Sequence, residues 1–120
     1  MRTLVVMACF LALGAFEARA DYKVKDYKFM MASTDKNVVF VMRTFVNGLG
    51  AGIAWANTAS EEKLYCQPPQ LALAVENYID IINRQIAKFA KKETESKLED
   101  EYVGLMLMMG LTETFPCGSK

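Results

Sequence analysis

From Lys36 to about Thr58 (helices average roughly 3–4 turns, and this one would be longer), apolar and small residues recur in steps of three and four. They are Val38, Val41, Phe45, Leu49, Gly52 and Ala56. That spacing returns side chains to one face of an α-helix. The run Val38-Val39-Phe40-Val41 alone would suit a strand. Its continuation at helical spacing, with no turn signal before Asn47, assigns a helix. Ser33-Thr34-Asp35 precedes it as an N-cap cluster, whose short side chains can accept hydrogen bonds from the free N–H groups of a first turn. A second stripe, Leu71, Val75, Tyr78, Ile82, Ile86 and Phe89, predicts a helix over 70–90. Ile79 and Ile81 widen its apolar face and predict a central position. Pro69 suits its first turn, where a missing N–H costs nothing. Lys88, Lys91 and Lys92 lie at its C-terminal end, where cations complement the helix dipole. A third stripe, Leu98, Tyr102, Leu105, Met109 and Thr112, predicts a helix over 97–113, with Met106 and Met108 as a second apolar edge. Ser96 and Glu99 have capping-box spacing, and Pro116 stops the helix. Between Asp21 and Met31 the apolar residues show no clean period, which reads as an extended arm running into a short helix. The prediction is an all-α, single-domain bundle of about four helices.

The first twenty residues read differently. Met1-Arg2-Thr3 is a short basic start, Leu4 to Phe16 is apolar, and Ala18-Arg19-Ala20 supplies an A-x-A cleavage site. These are the three parts of a secretory signal peptide, cleaved before Asp21. The apolar run is shorter than the roughly 20 residues a bilayer span needs. Removing it takes away Arg2, Arg19, Glu17 and Cys9, and leaves Asp21–Lys120 with 12 basic and 13 acidic side chains. No later run reaches about 18 uninterrupted apolar residues, so no stable membrane insertion is expected.

Composition narrows the chemistry. Of the 120 residues, 52% are hydrophobic, and 14 Lys and Arg balance 14 Asp and Glu. No basic excess points to nucleic acid. The chain contains no histidine, so Ser/His/Asp, Cys/His and HExxH chemistry are excluded within it. No cofactor or metal is expected, and the chain reads as a binding protein rather than an enzyme. Glu76 and Asp80 share a helix face, as do Glu95 and Glu99. Paired carboxylates can do acid–base work or hold a hard cation, but on amphipathic helices they are expected to be solvated, as are Asp100 and Glu101. Met106, Met108 and Met109 suggest an adaptable apolar surface or core.

Cys66 and Cys117 remain as an even pair in an exported protein, where a disulfide is the expected state. There is no C-x-x-C spacing to suggest a redox pair. Cys66 lies just before one predicted helix and Cys117 just after the next. Their bond would clamp the open end of a helical hairpin, 70–90 against 97–113, and leave Lys91, Lys92, Glu93, Thr94, Glu95 and Ser96 as its free polar tip. Gly48, Gly50 and Gly52 each cost about 1 kcal/mol relative to Ala inside a helix. Their expected compensation is close packing, with Gly48 and Gly52 against another backbone and Trp55 in the core. Gly48 and Gly52, with Leu49 and Ile53 beside them, are also a candidate face for homodimerisation.

The apolar leader, the glycine-rich helix at Gly48–Gly52, Leu64-Tyr65-Cys66-Gln67-Pro68-Pro69 and the closing Thr114-Phe115-Pro116-Cys117 occur in this order. The arrangement resembles the Rap/Tai family of periplasmic immunity proteins over about Val38 to Cys117, with the aromatic–Cys–x–Pro and aromatic–Pro–Cys segments as its brackets. The resemblance implies a compact all-α domain with a disulfide between the bracketing cysteines, here Cys66 and Cys117. It further implies binding to a secreted peptidoglycan amidase, delivered by type VI secretion, and occlusion of that enzyme's cleft. In some members the loop between the last two long helices is inhibitory. Lys91–Ser96 corresponds to that loop by topology, although no sequence motif matches there. The alternative expectation is a periplasmic chaperone or stress protein that binds apolar client surfaces.

Overall fold

The computed structural model describes residues 21–118, so the expected signal peptide at 1–20 lies outside the described residues. The fold is all-α. Among the described residues five helices follow one another: α1 Val24–Met31, α2 Lys36–Ala59, α3 Val75–Ala90, α4 Glu95–Glu99 and α5 Val103–Thr114. Asp35 is the N-cap of α2, its carboxylate accepting from the Asn37 N–H at 2.9 Å. The core joins Val24 and Tyr27 of α1, Met42 and Val46 of α2, Tyr78, Ile81 and Ile82 of α3, Leu98 of α4, and Val103, Met106, Leu107 and Leu111 of α5. The α3 stripe falls on its predicted side, and α3 is central, packing against α2, α4 and α5.

Three predicted boundaries move. Helix α3 begins at Val75 rather than at 70. The Leu71 N–H bonds the Pro68 carbonyl at 3.0 Å, and the Gln67 amide reaches the Leu71 carbonyl, so a turn closes before the helix starts. Ala74 is then the N-cap, its N–H donating to the Asn77 side chain at 2.8 Å. The predicted 97–113 helix is two helices. Thr94, not Ser96, is the N-cap residue of α4, without a side-chain capping bond. The chain breaks between Asp100 and Tyr102 because the N-terminal arm pairs there. Lys23 and Tyr102 form an isolated antiparallel bridge, the Val24 N–H bonds the Glu101 carbonyl at 2.8 Å, and the Val103 N–H bonds the Tyr22 carbonyl at 2.9 Å. The break resets the helical phase. Leu105 is half-buried, whereas Tyr102, Met109 and Thr112, expected on the core stripe, are exposed, and Val103, Met106, Leu107 and Leu111 take the interior.

Cys66 and Cys117 are joined by a disulfide with a Cα–Cα distance of 4.8 Å. Beside it the Cys66 N–H bonds the Phe115 carbonyl at 2.8 Å. The bond ties the segment before α3 to the segment after α5. These two helices form the principal helix pair and cross where Gly110 sits on Ile81 and Gln85.

Candidate interaction surfaces

Of the expected tip Lys91–Ser96, Lys91 to Thr94 connect α3 to α4, whereas Glu95 and Ser96 already belong to the first turn of α4; all six residues are exposed. The connection has a defined shape. The Lys92 and Glu93 N–H groups both bond the Phe89 carbonyl at 2.9 Å, satisfying an end of α3 that would otherwise face solvent. Glu93 pairs with Lys97 across one turn at 2.9 Å, which raises the Lys97 ammonium above its usual range. Lys91, Lys92 and Glu95 form no ion pair among the described residues. The connection and the first residue of α4 therefore expose two cations and one anion without an ion-pair partner among the described residues.

Most of the carboxylates singled out by spacing pair with cations. Glu76 bonds Arg43 of α2, whose hydrogen bond holds its pKa low. Asp80 pairs with Arg84 at 3.0 Å. Glu99 pairs with Lys28 at 3.6 Å. Asp100 is exposed and bonds Lys23 and Lys25 at 3.1 and 3.4 Å, which lowers its pKa, whereas Glu101 is half-buried. Among the described residues no group of three or more Cys, Asp or Glu is placed to hold a metal ion.

The glycine expectation is corrected. A side chain at Gly48 or Gly52 would meet nothing within 4 Å, and both are exposed. Gly50 is the packed one, lying on the Tyr78 ring, where an added Cβ would come within 2.5 Å of Tyr78 Cδ2. Two residues along a helix turn a side chain by about 200°, so Gly50 faces the core while Gly48 and Gly52 face away. Leu49 and Ile53, expected beside the glycines, are half-buried and pack on the core. Trp55, expected in the core, is 75% exposed. The methionines divide: Met106 is fully buried, whereas Met108 and Met109 are partly exposed and line a shallow apolar concavity of about 350 Å³ with Leu64 and Thr112.

Two features had no strong signal in the sequence. A concavity of about 640 Å³ lies between the N-terminal arm and α2, lined by Tyr22, Lys25, Phe29, Phe45 and Tyr102 among others. Tyr22 and Phe45 meet edge to face there at 4.8 Å. Asp21 also lines it. Its carboxylate accepts from the Gly104 N–H at 2.9 Å in the first turn of α5, while its other oxygen is buried without a partner. Burial pushes its pKa up, against the lowering effect of the Gly104 and Tyr22 N–H groups.

No family model, curated protein or solved structure matches this chain.

Proposed function

We propose that this chain is an exported immunity protein that binds a secreted peptidoglycan amidase and occludes its cleft without catalysing a reaction. The reading joins the cysteine brackets of the sequence to one structural observation: Lys91–Ser96, the α3–α4 connection and the first residues of α4, is a wholly exposed polar segment held in shape by two hydrogen bonds to Phe89. An occluding protein needs a pre-shaped surface with polar groups left free for the partner, since ordering a mobile loop on binding costs affinity. Lys91, Lys92 and Glu95 supply those groups, and complementary charge would speed the encounter.

The test is capture from the cell envelope and culture fluid with the oxidised protein, followed by an assay of cell-wall amide cleavage. One stoichiometric partner whose cleavage activity is inhibited supports the proposal. Reversing Lys91 and Lys92 to Glu should then weaken inhibition by about 10–100-fold, as loss of complementary charge pairs does. A captured amidase that remains fully active would sink it. The second reading, a chaperone for apolar clients, draws on the exposed Phe40, Trp55, Leu64, Met108 and Met109. It predicts many clients and suppression of their aggregation.

A further inference from the structure

The first turn of α5 is completed by the N-terminal arm rather than by its own N-cap residue. Tyr102, at the N-cap, makes no side-chain capping bond. The Val103 N–H bonds the Tyr22 carbonyl at 2.9 Å, and the Gly104 N–H bonds Oδ2 of Asp21 at 2.9 Å. Two of the N–H groups that a helix start leaves free are thus satisfied from the other end of the domain. A Cβ at residue 104 would come within 2.5 Å of that oxygen, so the bare glycine makes room for the carboxylate. The second oxygen, Oδ1, is buried without a partner among the described residues. The neighbouring lysines are committed elsewhere: Lys23 and Lys25 bond Asp100, and Lys28 bonds Glu99. Burying an ionised oxygen without a partner opposes folding.

Asp21 is also the residue that cleavage after Ala18-Arg19-Ala20 would expose. We infer that this cleavage completes the fold: the α-ammonium it creates on Asp21 pairs with the buried Oδ1 oxygen and fixes the carboxylate on the start of α5. Covalent geometry supplies the proximity. The nitrogen and Oδ1 of one aspartate are four bonds apart, within about 5 Å in any rotamer. While the chain continues before Asp21, that nitrogen is an uncharged amide with a single hydrogen, fixed in the peptide plane. It cannot turn that hydrogen to its own carboxylate at a good angle. An ammonium has three hydrogens that rotate to suit an acceptor, and its full charge strengthens the bond. The other charged groups lining this concavity do not compete for Oδ1. Lys23 and Lys25 are held by Asp100, and Asp26 accepts from the Lys23 N–H at 3.3 Å. Phe45 of α2 and Tyr102 add no charge at neutral pH. The effect reaches the core, because α5 carries Val103, Met106, Leu107 and Leu111 into it. Before export the chain lacks this pair and, in a reducing cytoplasm, the Cys66–Cys117 bond as well. Both locks then close only after export, which suits a chain that must cross a membrane unfolded.

This inference does not rest on the immunity reading. It rests on cleavage before Asp21, which N-terminal sequencing of the exported protein checks separately. The experiment compares two oxidised proteins, one beginning at Asp21 and one carrying Gly-Ser before it. At about pH 6, below the ordinary α-amine range, the protein beginning at Asp21 should melt about 4–8 °C higher, the shift that one charge-assisted bond gives a domain of this size. Its α-amine, followed by NMR, should titrate above the ordinary range of about 7.7–8.0. The advantage should therefore be full below that range and be lost as pH rises through the raised value. The same ammonium should draw the Asp21 carboxyl down from where burial pushes it in the extended chain. Asp21→Asn, made in both proteins, should erase most of the difference between them, since a neutral amide offers the ammonium no opposite charge. Asp26→Asn, at a carboxylate on the same concavity, should leave the difference in place. Equal midpoints for the two starts overturn the proposal, as does a difference fully retained by Asp21→Asn or erased by Asp26→Asn. An α-amine titrating in its ordinary range overturns it too, and so does an exported protein whose first residue is not Asp21.

Discussion

A methyl group added at Gly50 and one added two residues away at Gly48 should have opposite effects. At Gly50 the methyl meets the Tyr78 ring, and neither the helix nor a buried tyrosine yields easily. Gly50→Ala should destabilise the fold by about 1–3 kcal/mol, the usual cost of overpacking. At Gly48 the methyl meets open space, so Gly48→Ala should stabilise the monomer by up to about 1 kcal/mol through helix propensity alone. Urea unfolding of dilute protein separates the two. Tyr27 supplies a second residue-scale test. Burial raises its phenol to about 12 from an ordinary value of 10.0, and its hydroxyl donates to the Asn83 side chain at 2.9 Å. The unfolded chain releases this proton first, so stability should fall as pH rises from about 10 towards 12. Tyr27→Phe should remove that part of the slope in an alkaline denaturation series.

The start of α3 and the break before α5 moved through bonds to distant or non-helical partners. Spacing located α2 and α3 because their apolar residues keep one phase for several turns. It missed the interruption at Asp100–Tyr102 because the cause is Tyr22–Val24, far away in the chain. It also missed Asn57, a polar residue buried on the core side of α2. Its amide donates to the Tyr65 carbonyl at 2.9 Å and its oxygen accepts from the Leu64 N–H at 2.8 Å, which secures the segment leading to Cys66. The pairing of Cys66 with Cys117 was legible, since two cysteines remain after the expected cleavage and an exported protein oxidises them. The bond links residues 51 apart. In the chain-entropy account, closing such a loop is worth roughly 4 kcal/mol. Cys66→Ser should therefore lower the unfolding free energy by about that amount, and reduction of the native protein should do the same. Equal thermal midpoints for oxidised and reduced protein would contradict this.

For the molecule as a whole, stability should depend little on salt. The ion pairs Lys23–Asp100, Arg43–Glu76, Arg84–Asp80 and Lys88–Glu113 join partly or largely exposed side chains, and exposed pairs contribute about 0–1 kcal/mol each. Raising salt to about 1 M shortens the screening length to about 3 Å, yet the urea midpoint should shift only slightly. Acid should act in a definite direction. Arg43 and Lys88 hold Glu76 and Glu113 below their ordinary range, and Lys23 and Lys25 do so for Asp100. Stability from these groups is present above the ordinary carboxylate range and is lost as pH falls through it. Asp21, whose pKa is raised by burial, works the opposite way and favours the fold in acid. A urea midpoint series from neutral pH to about pH 3 (below the usual carboxylate range) should show a net loss, with Asp21→Asn making that loss steeper in a chain extended before Asp21.

The sequence by itself determined the all-α class, the positions of the two long helices, the cysteine pairing and the exclusion of histidine chemistry. Each follows from composition or from a local period, which a chain carries wherever its parts later meet. Tertiary structure decided the phase. It turned Gly50 to Tyr78 and Gly48 to solvent, put Trp55 outside and Asn57 inside, and divided the last predicted helix at the N-terminal arm. An apolar stripe broad enough to run round most of a helix does not say which side meets the core. That choice belongs to the neighbouring helices, and in α2 it left a second apolar side exposed.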